Sequence, residues 1–317
     1  LHGSSAASDV YKRQVNNGVF KWVIFYKIKE ADSRRNMFKT VAKDVWAFDV
    51  EWVPDADAGR RLHQLPQDLE EAEVFEAMWK AGGATEEEPM PYLKTVLCRV
   101  VSIAAVVRKR KDDNSITLSL TSLPHHPENL EDREEAKLLS TFLNAIGDKK
   151  PQLVGFNSQR SDLKILVQRA VAQGIQAKSF AKRPDKPWEG VDYFDSKFSP
   201  VHVDLIEILG GFGKSTPSLH EMANVCGIPG KMSVEGDEVA TLWLEGRLPE
   251  IVAYNECDAL TTYLIWLRTA HFGGFFTESE YEEEQSRVRQ MLEMEGASPG
   301  KEHLLEFLEE WERLQGN

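Results

Sequence analysis

The sequence predicts an α/β domain, a mixed central β-sheet flanked by helices. Three observations predict it. Apolar, β-branched runs at residues 45–53, 95–107 and 116–123 read as strands. Helical periodicity follows at residues 131–146 and 161–172, with a short apolar strand at 153–156 between them. The later chain is helical in pattern, above all across residues 249–269. Strands first, then helices alternating with strands, suggest one domain over residues 44–270.

The elements follow in order. Residues 1–14 (LHGSSAASDVYKRQ) are small and polar with no apolar period, and are expected to be a non-native or disordered leader. Residues 15–43 form an N-terminal arm whose aromatic and aliphatic run at 20–28 reads as a strand or a packed segment. After the strand at 45–53, Pro54 and Asp55 break the pattern. Residues 67–81 are helical and end at Gly82-Gly83. A Glu/Pro loop covers 86–91, and the charged run 108–114 connects a strand pair. The helix at 131–146 is expected to stop at Gly147. The helix at 161–172 presents Leu163, Leu166, Val167 and Ala170 on one face and ends near Gly174. Residues 175–200 read as a basic and aromatic loop containing Trp188, Tyr193, Phe194 and Phe198. His202 opens a helical region that continues through 218–226 and 235–244. Residues 271–317 form an acidic helical tail, expected to pack on the body or meet a partner and to be dispensable for chemistry.

Three cysteines without a C-x-x-C pair exclude a zinc ribbon or a disulfide scaffold and fit a reducing, cytoplasmic setting. No apolar run approaches the roughly 20 residues of a membrane span. The net charge of −13 argues against a non-specific nucleic-acid binder. That charge is uneven, however. Residues 277–317 carry 12 acidic and 4 basic side chains, whereas residues 147–200 carry 10 basic and 6 acidic ones. The bulk charge therefore does not decide what the body binds.

Three apparent motifs are set aside. GGFGKST at 210–216 ends like a phosphate-binding loop, but Ile208 stands where the first glycine is needed, so it reads as a turn. His220-Glu221 begins like a zinc-protease helix, but Asn224 occupies the second histidine position. His125-His126 lies between prolines and reads as a solvated turn.

The carboxylates carry more. Asp49 and Glu51 are two apart on a strand and point to one face, opposite Phe48 and Val50. Two like charges among Val45, Trp46, Phe48 and Trp52 are costly unless a cation neutralises them, or unless this is an exposed edge strand. Asn157 follows the strand at 153–156, and Asp162 begins the next helix, where it either joins a site or caps the helix. Tyr254 and Asp258 are four apart on a helix and share a face, while Glu256 points elsewhere and is expected to be solvated.

The ordered set resembles the DEDDy 3′–5′ exonucleases of the ribonuclease H-like superfamily, and within them the stand-alone relatives of the proofreading domain of B-family DNA polymerases. The resemblance rests on FDVEWVPD (48–55), LVGFNSQRSDLKIL (153–166), HVDL (202–205) and YNECDALTTYLIWL (254–267). It implies a ribonuclease H-like fold and a metal-dependent exonuclease acting on single-stranded DNA or RNA 3′ ends. Alternatives are a structure-selective endonuclease on the same fold, or a catalytically idle nucleic-acid-binding module. By resemblance, Asp49, Glu51 and Asp258 hold the ion that binds the nucleophile. Asp49 bridges to a second ion, which Asp162 completes, and Tyr254 orients the attacking water. An all-carboxylate set favours two hard cations, Mg²⁺ or Mn²⁺. Asn157, Arg160, Trp52 and Lys164 are candidate substrate contacts, with Lys178, Lys182, Arg183 and Lys186 placed to follow a backbone and Trp188, Tyr193 and Phe194 to stack on bases. Two positions depart from the family pattern: Trp52 where threonine is usual, and Ser161 where an aromatic usually precedes the second-motif acid.

Overall fold

A computed structural model describes residues 38–316 apart from 187–188, 196–198, 231 and 233–237. The expected leader, the run at 20–28, Trp188 and Phe198 lie outside the described residues. The body is one compact unit, Val41–Asn317.

Five strands form one sheet: β1 (Asp44–Pro54), β2 (Cys98–Arg110), β3 (Ile116–Leu123), β4 (Gln152–Gly155) and β5 (His202–Asp204). Their order is β3-β2-β1-β4-β5. The first three pair antiparallel, and β4 and β5 add in parallel. The mixed sheet of the expected α/β class is therefore present. β1 is interior, since β2 lies along one side and β4 pairs with Val45, Trp46 and Ala47 on the other.

The alternation of β1 divides the two faces of the sheet. Phe48 turns to α3 (Glu135–Lys149), with its ring centroid 5.7 Å from that of Phe142. Asp49 turns the opposite way, to the long helix α9 (Leu248–Phe272), whose Asn255 it meets. α9 has Pro near its start, where a missing N–H costs nothing, and is buried on most of its circumference. Between these elements run α1 (Ala56–His63), α2 (Glu71–Gly82), α4 (Asp162–Ala172), α5 (Lys178–Ala181), α6 (Leu205–Leu209), α7 (Leu219–Val225) and α8 (Val239–Leu244).

The acidic tail is α10 (Glu278–Gly296) and α11 (Glu302–Gln315). These helices bury Val288, Leu292, Leu304, Phe307 and Trp311. Each such side chain contributes roughly 1.5–3 kcal/mol on burial. Surface pairs such as Arg313–Glu310 add at most about 1 kcal/mol each, so packing decides where the tail sits.

Several elements differ from the sequence expectation. Asp55 ends β1 as expected, but it also opens a helix that the sequence pattern does not mark. Its carboxylate accepts from the N–H groups of Asp57 and Ala58 at 3.0 and 3.1 Å and starts α1. Gly147 lies inside α3, not past its end. A Cβ there would stand 2.6 Å from the Phe180 backbone nitrogen, so this glycine admits α5. His202 opens a strand, not a helix, because the chain adds to the sheet beside β4 before α6 begins. Glu256 is fully buried instead of solvated. Ser122 of β3 bonds to it, as do Lys301, and His303 of α11 at 2.7 Å. Residues 210–216 form a turn with one short 3₁₀ segment, and the Asn224 amide bonds to His220, as ordinary helix surface would. Among the described residues no helix is long and apolar enough to cross a membrane.

Candidate metal centre

β1 supplies the first two acids. Asp49 and Glu51 point to the α9 side, and the register of β1 against β2 shifts immediately afterwards, between Glu51 and Trp52. Such a bulge re-aims the residues beyond it. Trp52 is half-buried against the core. α9 supplies Tyr254 and Asp258 from one face, and the Tyr254 hydroxyl donates to the Asp258 carboxylate. Asp49, Glu51 and Asp258 each offer an oxygen, and these oxygens lie within 4.8 Å of one another.

Asp162 sits at the first turn of α4, almost fully buried, where the Val50 backbone bonds to it. The loop before it is held from β5. Asp204 accepts from the backbone N–H groups of Asn157 at 2.8 Å, Gln159 at 2.9 Å and Ile206 at 3.1 Å. This clamp lets Asn157 adopt a φ of 63°, the left-handed region that asparagine tolerates better than most residues.

The electrostatics are those of crowded acids. Burial, then the charges of Asp162, Glu51 and Asp258, push Asp49 well above the carboxylate range, with the Asn255 amide opposing. Burial, then Asp258 and Asp162, do the same to Glu51. Burial, with Asp204 and Asp258 adding, raises Asp162 to about 7. Tyr254 is raised by burial and by Asp258, Glu51 and Asp49. Its phenol keeps its proton at neutral pH and so cannot act as a base. A cation among these groups replaces repulsion with attraction, and the all-oxygen donor set suits Mg²⁺ or Mn²⁺.

The candidate substrate contacts are dispersed. Arg160 is exposed and pairs with Glu207 at 2.8 Å. Lys164 lies on the exposed face of α4. In the basic loop, Arg183 pairs with Asp192 at 3.0 Å and Lys186 with Glu189 at 2.7 Å. Tyr193 is buried, stacked on Phe180, with its hydroxyl donating to the Pro151 carbonyl at 2.7 Å. It is core, not a base platform. Phe194 packs edge-on to the same Phe180 ring.

Two residues near the acids were not singled out from the sequence. Tyr92 is 68% exposed, and its hydroxyl hydrogen-bonds with that of Ser161, next to Asp162. Asn255 is fully buried and joins β2 to Asp49. The position of Asn255 beside Tyr254 was the available signal; nothing in sequence spacing pointed to Tyr92.

Comparison with known proteins bears on what this centre is. No curated protein matches the chain. Among solved structures it is similar to the family B DNA polymerase from the hyperthermophilic archaeon Pyrobaculum calidifontis, at 16% identity and a TM-score of 0.39, over 80% of this chain and 29% of the polymerase. The chain thus spans less than a third of that protein's length. Residues 90–311 match a family described as "Predicted 3'-5' exonuclease related to the exonuclease domain of PolB". The match includes Asp162, Tyr254 and Asp258 and begins after Asp49 and Glu51. It spans well over half of the sequence, and the chain belongs to that family of predicted exonucleases.

Proposed function

We propose that this chain is a metal-dependent 3′–5′ exonuclease that hydrolyses phosphodiester bonds at single-stranded nucleic-acid 3′ ends. The observation that carries the reading is the convergence of Asp49, Glu51 and Asp258 from β1 and α9 on one point, with Asp162 electrostatically linked to them. A solvated structural face has no reason to collect four acids around half-buried and buried positions.

When bound, two Mg²⁺ or Mn²⁺ ions supply Lewis-acid chemistry for water activation and leaving-oxygen stabilisation. The protein residues do the rest. Asp49, Glu51 and Asp258 form one ligand group, and Asp162 extends it toward a second position. Tyr254, a donor at neutral pH, orients the attacking water rather than taking its proton. Tyr92 offers an exposed ring beside Asp162 on which a terminal base stacks. Asn157, Arg160, Trp52 and Lys164 are the proposed substrate contacts. Three free, buried cysteines suit a reducing compartment, and the proposal places the enzyme in the cytoplasm.

The test is end-labelled DNA and RNA oligonucleotides incubated with Mg²⁺ or Mn²⁺ and resolved by product length. A ladder of single-nucleotide steps from the 3′ end is expected, with no cleavage in EDTA. Cleavage of end-blocked substrates would instead identify an endonuclease. Binding without cleavage would identify an idle module.

A further inference from the structure

Asn255 follows Tyr254 and lies three residues before Asp258, so on α9 it neighbours Asp258. Its side chain reaches across to the sheet. Asn255 Nδ2 donates to Asp49 Oδ2 at 2.7 Å, and Asn255 Oδ1 accepts from Ser102 Oγ at 3.0 Å. Ser102 is on β2, directly opposite Glu51. Asn255 and Ser102 are both fully buried. The three residues form a relay from the strand behind Glu51, through α9, to Asp49.

The chemistry of the amide matters. A lysine or arginine here would neutralise Asp49 and compete with a cation for it. An amide donates one hydrogen bond and adds no charge, so Asp49 keeps its other oxygen and its full charge for a metal ion. An amide also has two ends that must be told apart. The Ser102 hydroxyl donates to the oxygen end, which turns the nitrogen end to Asp49. Reversed, the amide oxygen would face the carboxylate and repel it.

From this we propose that Asn255, held by Ser102, is a positioning residue that fixes the Asp49 carboxylate for metal binding and locks the α9 acid, Asp258, in register with the β1 acids. The inference rests on the metal-dependent reading of the same centre. Partners that orient metal ligands typically change metal affinity about 10–100-fold when removed.

The experiment is calorimetric Mn²⁺ titration of the full chain, without substrate, for wild type, Asp49→Ala, Asn255→Leu and Ser102→Ala. Thermal melting in EDTA and the Mn²⁺ dependence of cleavage accompany it. Asn255→Leu is close in volume and removes both hydrogen bonds. It is expected to weaken Mn²⁺ binding by about 10–100-fold. Ser102→Ala is expected to weaken binding in the same direction by a smaller factor, with a small fall in melting temperature in EDTA from the amide oxygen left unpaired. In both variants, excess Mn²⁺ is expected to recover cleavage. A merely structural role would lower the melting temperature and leave Mn²⁺ affinity alone, and that result in both variants overturns the proposal. If Asn255→Leu does not fold, Ser102→Ala decides by itself. If wild type and Asp49→Ala bind Mn²⁺ alike, the metal centre fails and this inference with it. If wild type binds, Asp49→Ala does not, and the relay variants match wild type, only the relay is refuted.

Discussion

Arg108 of β2 and Glu284 of α10 form an ion pair at 2.6 Å in which both side chains are almost wholly buried. Tyr263 of α9 donates a third bond to the same glutamate at 3.2 Å. An acidic helix that reads as surface in sequence is thus fastened into the body by one of its own glutamates. Glu256 repeats the arrangement with Lys301 and His303.

A chain ending at Thr277 is therefore expected to be destabilised, not merely shortened. Truncation leaves Arg108 and Glu256 without their charged partners, and breaking one buried pair costs about 3–5 kcal/mol. The sequence marks this tail as dispensable for chemistry. Burial adds an expectation about stability: a large fall in melting temperature or insoluble protein. A truncated chain that melts like the full one would show that these pairs contribute nothing.

Asp49→Asn and Asp258→Asn should each abolish metal-dependent cleavage while leaving the metal-free fold at least as stable as wild type. Each change removes a ligand oxygen's charge and relieves repulsion among the acids. Melting in EDTA beside a cleavage assay checks both halves. Wild-type cleavage by either variant would remove the site assignment.

Tyr254→Phe deletes one hydroxyl and keeps the ring. Its phenol is a donor to Asp258 and cannot act as a base near neutral pH. Mn²⁺ affinity should stay near wild type, while single-turnover cleavage slows toward the low end of the roughly 10²–10⁴-fold expected for a positioned proton-transfer or orienting group. An unchanged rate would reduce the tyrosine to packing.

The metal-free protein should lose stability as pH rises, so far as this centre contributes. Asp162 titrates near 7 when folded, against an ordinary 3.8. A raised folded value means the folded state holds the proton more tightly. The contribution is complete below about 3.8 and is lost as pH climbs through about 7. Melting in EDTA from pH 4 to 8 (about the span of that shift) should show a falling component that Asp162→Asn removes and Mn²⁺ offsets. The same slope in the variant would show that Asp162 is not its source.

Tyr92→Ala should weaken binding of a single-stranded 3′ end, since stacking on an aromatic is worth about 1–3 kcal/mol per base. Tyr92→Phe should keep most of that binding, because the ring is retained and only the Ser161 bond is lost. Equal KM values for wild type and Tyr92→Ala would place the substrate elsewhere.

The strands and the long helices were legible because their apolar patterns persist whatever packs on them. α1 was hidden because Asp55 follows a proline and looks like a break until its carboxylate is seen capping Asp57 and Ala58. Gly147 was misread because the same residue that ends helices also permits close packing, and only the position of Phe180 tells which applies. Glu256 was misread because its basic partners lie 45 and 47 positions further on. The acids of the candidate centre were visible as spacings, two on a strand and one each at a helix start and a helix middle. Asn255 and Tyr92 acquire meaning only from neighbours distant in the chain.

The bond from Asn255 to Asp49 spans 206 positions. A ribosome must therefore deliver the chain as far as α9 before the β1 acids meet their counterparts there. Until then Asp49 and Glu51 belong to a strand without its covering helix, and the cost of closing so long a loop has not yet been met. A nascent chain, held close to its own messenger RNA, carries the parts of a cation site but no assembled one. The topology itself delays assembly of this centre until α9 has been made.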